Sequence, residues 1–565
     1  MIKNRIKILR NRFNSLNIDG YIIPKNDEFF SDYCPHNRLK FISNFSGSAG
    51  LAIILKKKNY LFIDGRYTIQ AQNESEKNFK IIEIHKKLPG EIIKNLTLGY
   101  DPKLFTGKKI KNYFNNSIKL KPIDENLIDK LYKFRKNKTK PFYSLKKEIT
   151  GEDHQSKIKK IRKILKSYKT DFLFISAPEN VAWILNIRGN DNPNSPIPNC
   201  RLIIGKKKEL FLIADKSKVL NLIKDKKLKL NNIISPEKLY FFINNLKGKT
   251  FNIDEKTCSI FHEKIIKNKF KILNKEDPCY MLKSIKNSIE IKHMINSHLI
   301  DGLALTRFIY WLKKENKKKI TEIEAQNKLE KFRKKNKKYL FPSFDTIAGT
   351  GSNGAIVHYK ASLRNNKVIN KNHIFLCDSG GQYKFGTTDV TRTICFSKQN
   401  ISIKNIFTKV LKGHIAVIQT NLKKDNTGKK IDLRARKFLK KDGLNYAHGT
   451  GHGVGFFLNV HEGPQSISQN NSIILKEGMI LSNEPGYYKK NYYGIRIENL
   501  IYIKKNNGNI FFKNLTFAPI EKDLINYSLL NESEKSYLFK YHLDIYKNYS
   551  RFLNVKQRKW LASLI

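Results

Sequence analysis

The sequence predicts several mixed α/β domains followed by an α+β segment that carries the chemistry, and three observations lead there. At 565 residues, with 40% hydrophobic and 11% aromatic side chains, the chain exceeds one hydrophobic core. A soft prior of roughly 150 residues per domain gives about three or four. Through the first half, strand-like apolar runs alternate with helical patterns and turn signals. From about Ser284 a long helical pattern gives way to glycine-rich turns, short strands and nearly all the distinctive polar residues.

Taken in order, residues 2–16 show a basic helical pattern and Gly20-Tyr21-Ile22-Ile23-Pro24 a strand. Apolar runs from Gly50 to Leu55 and from Tyr60 to Asp64 continue a first α/β segment, 1–147. The basic, proline-bearing stretch from Lys133 to Lys147 reads as a linker. A second α/β segment, 148–283, opens with a helix near 155–167 and the strand Asp171-Phe172-Leu173-Phe174-Ile175. The third, 284–503, starts with a helix through Ile291, Met294, Ile295, Leu299, Leu303, Phe308 and Trp311, apolar at three- and four-residue spacing. The tail, 504–565, returns to helical and loop patterns, and no sequence repeat is evident.

The formal net charge of +59 invites a nucleic-acid reading. Such a footprint is clustered on one face or arm. Here lysine is spread along the whole chain beside much asparagine and isoleucine, as an AT-rich coding sequence would favour. The runs Lys313 to Lys319 and Lys334 to Lys338 follow amphipathic helices and read as solvated faces. No specific nucleic-acid partner is expected. Six cysteines, at 34, 200, 258, 279, 377 and 395, form no CxxC pair, as for reduced thiols in the cytoplasm. The N-terminal residues lack an apolar signal core, and no stretch approaches the ~18 uncharged apolar residues of a membrane span. A cytoplasmic protein with no membrane association is expected.

The chemistry begins at Asp378, which ends an apolar strand before Gly380-Gly381, and Asp389, which precedes a strand rich in β-branched residues. A hairpin folding near Tyr383 would set these carboxylates opposite one another, where they repel unless a cation or a shared proton separates them. Alone, the pair reads equally as a turn residue and a solvated one. In Ala447-His448-Gly449-Thr450-Gly451-His452-Gly453, two histidines four apart stand among glycines, which permit close backbone approach but contribute no packing. Glu484 precedes a Pro-Gly turn, and Arg496 and Glu498 share one face of a strand if period two holds. Singly, Glu498 reads as an ion-pair partner. Together, four carboxylates and one imidazole make a hard, oxygen-rich set suited to manganese or similar ions. Four converging negative charges need about two divalent cations for neutrality.

These segments resemble the signature of the pita-bread metallopeptidases, and most closely the long, three-domain cytosolic Xaa-Pro aminopeptidases. The resemblance extends beyond the metal motifs. Phe45-Ser46-Gly47-Ser48-Ala49-Gly50 and Asp64-Gly65-Arg66-Tyr67 match the first domain of that group, and Trp183-Ile184-Leu185-Asn186-Ile187-Arg188-Gly189 the second. Ser343-Phe344-Asp345-Thr346-Ile347-Ala348-Gly349 and Asn353-Gly354-Ala355-Ile356-Val357-His358-Tyr359 match the third.

The resemblance implies two creatinase-N-like α/β domains (1–147 and 148–283), a pita-bread catalytic domain (284–503) and a C-terminal extension (504–565). It implies that Asp378 binds one metal ion, His452 and Glu484 the other, and that Asp389 and Glu498 bridge them. Glu484 would also be the general base. His358 and His461 would contact substrate and polarise the scissile carbonyl, with His448 a pocket histidine of the catalytic machinery. Arg66 would contact substrate, and Arg496 would orient the metal carboxylates. The implied activity is release of the first residue from peptides with proline second, with manganese (cobalt or zinc as alternatives) in a homodimer. The competing readings are a prolidase-like dipeptidase and a non-catalytic peptide-binding member of the fold. Departures from the group's pattern are Phe385, where an acidic residue is usual, Gly381, where alanine is, and a polar, proline-rich stretch from Asp191 to Cys200.

Overall fold

The run Gly20–Pro24 is buried at every position, as a strand covered on both faces requires. In a computed structural model describing residues 1–34, 36–114, 118–134, 140–315, 319–363 and 365–565, it is the inner strand β1 of a six-stranded sheet. The others are β2 (Leu51–Leu55), β3 (Asn59–Ile63), β4 (Lys80–Glu83), β5 (Thr97–Tyr100) and β6 (Lys119–Pro122), in the order β4-β3-β2-β1-β5-β6. β1 to β3 form an antiparallel meander, and β4, β5 and β6 add in parallel. The first helix, α1 (Ile2–Arg10), buries Ile2, Ile6 and Leu9. It stops short of the predicted residue 16 because turn-forming Asn11, Asn14 and Asn17 follow, the last with φ +47°.

A second sheet repeats this plan. Its strands are β7 (Phe172–Ile175), β8 (Arg201–Gly205), β9 (Leu210–Ile213), β10 (Ile233–Ile234), β11 (Thr250–Ile253) and β12 (Lys271–Asn274). Their order, β10-β9-β8-β7-β11-β12, and their pattern of parallel and antiparallel pairs match the first sheet strand for strand. The duplication is one of topology, so it leaves no sequence repeat to detect. The predicted linker is partly structured: Phe142 is fully buried, and Tyr143–Ser144 pair with Ile187–Arg188. Residues 135–139 of that stretch lie outside those described.

Residues 1–280 and 281–565 form two compact units. The second opens with α3, after α2 (His154–Ser167) in the first unit. α3 (Ser288–Tyr310) is started by Asn287, whose side chain accepts from the Ile289 and Glu290 amides at 3.0 Å, while Glu290 reaches back to the Asn287 amide. α4 (Glu322–Lys334) follows. Two three-stranded sheets come next, β13-β16-β17 and β14-β15-β18, from β13 (Tyr339–Pro342), β14 (Ile347–Thr350), β15 (Phe375–Ser379), β16 (Gly381–Tyr383), β17 (Gly386–Thr387) and β18 (Val390–Ile394). After α5 (Ile401–Ile418) and α6 (Gly428–Lys440) comes a five-stranded sheet, β20-β19-β21-β24-β25, and a two-stranded ribbon, β22-β23. These are β19 (Gly451–Gly453), β20 (Glu462–Ile467), β21 (Ile480–Asn483), β22 (Gly486–Lys489), β23 (Tyr493–Arg496), β24 (Asn499–Asn506) and β25 (Asn509–Asn514). The tail, expected to be helix and loop, therefore begins with the edge strand β25. Only after it come α7 (Glu532–Tyr549) and α8 (Val555–Ala562), which close over a core of Phe407, Leu411, Ile495 and Ile545.

Three further expectations meet the structure here. Lys313 does not lie on a solvated face: its Nζ is 2.6 Å from Glu521 Oε1 and 3.1 Å from Asp523 Oδ2. Residues 316–318 of its run lie outside those described, whereas Lys334, Lys335, Lys337 and Lys338 are exposed as expected. All six cysteines are buried free thiols. Among the described residues no helix is long and apolar enough to cross a membrane.

Candidate metal centre

The apolar strand β15 carries Asp378 near its end, buried among Phe375, Leu376 and Cys377. It pairs antiparallel with both β14 and β18, and across β18 Asp378 stands opposite Thr391, not Asp389. The register differs from the expected hairpin because the intervening residues leave to form β16 and β17 in another sheet. Asp389 sits in the return from that excursion. His452 is the middle residue of β19, and Glu484 directly follows β21. Arg496 and Glu498 do not share one strand: Arg496 ends β23, and Glu498 lies in the two-residue break before β24. Gly451 is needed where β19 meets β21, since a Cβ there would lie 1.9 Å from the Ser482 carbonyl oxygen.

These segments bring the five expected ligands to one place, with Asp378, Asp389 and Glu498 buried and His452 and Glu484 half-buried. Asp389, His452 and Glu498 each offer a ligand atom within 4.8 Å of the others. His452 Nε2 lies 3.6 Å from both Asp389 Oδ2 and Glu484 Oε1. Its Nδ1 donates to the Gly453 carbonyl at 2.9 Å, which fixes the tautomer and turns Nε2 toward the carboxylates. Ser482 Oγ accepts from the His452 amide at 2.9 Å and donates to Glu484 Oε1 at 3.1 Å. Arg496 Nη2 donates to Asp378 Oδ2 at 2.6 Å and Nε to Thr391 Oγ1 at 3.1 Å, and Thr391 Oγ1 in turn donates to Glu498 Oε2 at 2.7 Å.

Electrostatics follow from this crowding. Burial, then the charges of Asp378 and Glu484, hold Asp389 well above the usual carboxylate range. Burial, then Asp389, Glu484 and Asp378, do the same to Glu498. Glu484 is also raised by burial, with His452 and Arg496 opposing. Two buried oxygens, Asp378 Oδ1 and Asp389 Oδ1, have no hydrogen-bond partner among the described residues. A cluster of carboxylates with raised affinity for positive charge, two orphaned oxygens and one oriented imidazole fits a pair of divalent cations.

The expected substrate-side residues fall in different places. His461 is exposed, with its ring centroid 4.5 Å from that of His452. His448 is tied down: Nδ1 donates to the Gly449 carbonyl at 2.8 Å and Nε2 accepts from Tyr488 OH at 2.8 Å. His358 is half-buried in the turn before Tyr359, whose hydroxyl donates to Glu322 Oε2 at 2.7 Å. Arg66 belongs to the first unit, where Nε donates to Asp64 Oδ1 at 2.8 Å.

Sequence reasoning passed over Tyr488, Thr391, Asp432 and Arg436. Tyr488 OH accepts from Arg496 Nη1 at 2.6 Å, which completes a chain from Asp378 to His448, and burial pushes its pKa up to about 12. Arg436 donates to the Tyr446 and His448 carbonyls at 2.8 and 2.6 Å and is paired to Asp432 at 2.7 Å, so α6 holds the histidine loop. The one available signal, an Asp-Arg pair at i,i+4 in a helical pattern, is common on any helix. Two of the three departures also acquire reasons. A Cβ on Gly381 would meet the Tyr339 and Tyr383 rings at 2.8 Å, and Phe385 packs edge-on against His293 and Phe457.

Comparison with known proteins agrees along the whole chain. Residues 292–505 match metallopeptidase family M24, and 509–564 the C-terminal region of that peptidase. Residues 5–131 and 133–290 each match the creatinase/prolidase N-terminal domain. A probable Xaa-Pro aminopeptidase P of Laccaria bicolor is 35% identical over 99% of this chain and 92% of its own. Xaa-Pro aminopeptidase 1 of Dictyostelium discoideum is 35% identical over 100% and 96%. The crystal structure of X-prolyl aminopeptidase from Caenorhabditis elegans, described as a cytosolic enzyme with a di-nuclear active site, superposes with a TM-score of 0.91 at 30% identity, covering 100% of this chain and 99% of that one. With two creatinase-type domains, an M24 domain and its C-terminal region, and with 35% identity to such relatives over nearly its full length, the chain belongs to the Xaa-Pro aminopeptidases of metallopeptidase family M24.

Proposed function

We propose that the chain hydrolyses the bond between the first residue of a peptide and a following proline, with two divalent ions, manganese first among them, held by Asp378, Asp389, His452, Glu484 and Glu498. The observation that carries this reading is the convergence of those five side chains, three of them buried, with two orphaned carboxylate oxygens. On the resemblance, Asp378 would hold one ion, His452 and Glu484 the other, and Asp389 and Glu498 would be shared between them. When bound, such ions lower the pKa of a water toward ~7 and polarise the scissile carbonyl.

The chain's own residues do the rest. Glu484, made more basic by burial, takes the proton of the attacking water and is aimed by Ser482. His461 and His358 donate to the carbonyl oxygen as charge develops there. His448, locked through Tyr488 and Arg496 to Asp378, walls the pocket for the proline ring. A proline nitrogen has no N–H to donate, so a pocket of imidazoles and apolar walls accepts it without a mispaired acceptor. Arg66 is assigned to the substrate on the resemblance of Asp64-Gly65-Arg66-Tyr67. The reading includes domain limits at 147, 283 and 503, a homodimer, and a cytoplasmic place of action.

The test compares Arg-Pro-Pro, Arg-Ala-Ala and the dipeptide Ala-Pro as substrates after chelation and manganese addition. Cleavage of the first alone, lost with chelator and restored by metal, supports the reading. Preference for Ala-Pro would move the chain to a dipeptidase, and cleavage of none would leave a peptide-binding protein.

A further inference from the structure

We infer that Glu462, gripped by Lys283 and Lys286, is a positioning residue for His461. This rests on the reading that His461 meets the substrate carbonyl. His461 immediately precedes β20 and Glu462 is its first residue; the first is exposed and the second buried. His461 is exposed over the His452 ring, whereas the Glu462 carboxylate is 1% exposed and lies between two ammonium groups equally withdrawn from solvent. Lys283 Nζ is 3.1 Å from Oε2, and Lys286 Nζ donates to Oε1. Lys286 also donates to the Ser284 carbonyl, and its amide donates to the Gly478 carbonyl at 3.0 Å, so its own backbone is fixed to the turn before β21.

The strand ladder explains why such a grip is needed. His452 pairs with Ser466, but the next residue, Gly453, pairs with Glu462, so residues 463–465 bulge out of β20 beside the site. A bulge re-aims side chains but removes local ladder support. Beyond the bulge the ladder resumes with the single Gly453–Glu462 pair, and His461 stands one residue outside it. The buried triad holds this end of the strand from the far side. Lys286 hydrogen-bonds Oε1, and the Lys283 ammonium stands 3.1 Å from Oε2 as an ion pair without a hydrogen bond, so each oxygen faces its own cation, with the Glu290 charge also close to Lys286.

The test is a double-mutant cycle on the manganese-loaded enzyme, read as kcat/KM for Arg-Pro-Pro with unfolding midpoint and metal content measured alongside. Glu462→Gln is expected to lose roughly tenfold to a hundredfold in kcat/KM, the scale of an ångström's misplacement, with both metals retained. In the His461→Ala background the same change is expected to cost less than about twofold, because its effect passes through the ring already removed. An equal loss in both backgrounds, tracking the unfolding midpoint, would reduce Glu462 to a stability residue and overturn the inference. A wild-type rate for His461→Ala would instead overturn the role given to His461, and the inference with it. If Glu462→Gln does not fold, Lys283→Gln, which leaves the Lys286 contact intact, supplies the cycle with the same expected and contrary outcomes.

Discussion

Arg496 donates to Asp378 at 2.6 Å with its side chain 2% exposed, and the same guanidinium reaches Thr391 and Tyr488. Its three donors thus tie a candidate ligand of one strand to the residue that orients Glu498 and to the hydroxyl that orients His448. Arg496→Met is expected to leave Asp378 unpaired and cost about 3–5 kcal/mol of stability in the metal-free protein. Arg496→Lys should fail to restore activity, because one ammonium cannot span three acceptors. Midpoints of unfolding and kcat/KM for the two variants check this; full activity in the lysine variant would refute the three-point reading.

Glu484→Gln is expected to fold normally, keep most of its metal and turn over at least a hundredfold more slowly, the scale of a lost general base. Asp389→Ala and Glu498→Ala should instead lose metal as well as activity, since each removes a bridge. Metal per chain, measured after gel filtration, separates the two cases. Full metal retention in both alanine variants would rule out the bridging assignment.

Removing the metal should destabilise the second unit, because Asp389, Glu484 and Glu498 are then left to repel one another in a buried place. At free manganese about a thousandfold above Kd, stabilisation amounts to about 4 kcal/mol, or on the order of 10 °C in the unfolding midpoint. Calorimetry of chelated and reloaded protein tests it. A midpoint indifferent to metal would contradict the assigned centre.

Acid should unfold the loaded protein through three buried histidines that are not themselves ligands, one of which, His414, bonds the backbone beside Glu484. Burial lowers His298 to about 4, His414 to about 3 and His542 to about 4. Their neutral rings are held by the Met294 and Asn483 carbonyls and the Ile520 amide. In the unfolded chain each takes a proton near pH 6.5, while the folded protein refuses it until about pH 3–4. Their stabilising contribution is therefore fully present above about pH 6.5 and falls as pH drops, by roughly 1.4 kcal/mol per histidine per pH unit. Unfolding midpoints at pH 7.5 and 5.5 with saturating metal should show the fall, and a flat profile would exclude it.

Much of the fold was legible where local patterning and burial agree. The runs at 20–24, 51–55 and 172–175 are strands, and the apolar spacing from Ile291 onward is α3. The misses lie where a tertiary choice overrides local pattern. β25 is the clearest: its residues alternate weakly, and it became a strand because β24 offered an open edge. Asp378 and Asp389 were matched by counting along one hairpin, but the segment between them pairs in a different sheet.

The sequence by itself determined the residue types of the centre: carboxylates and an imidazole beside glycines that leave no alternative packing role, spread from 378 to 498. Those choices are local chemistry, readable one motif at a time. Only the tertiary structure decided which atoms face each other and what holds them. Thr391, Tyr488, Arg436 and Glu462 are ordinary residue types whose effect arises from burial beside a charged neighbour, where few waters compete and each hydrogen bond fixes an orientation. That proximity is set by sheets whose partners lie far apart in the chain, so no spacing along the sequence encodes it.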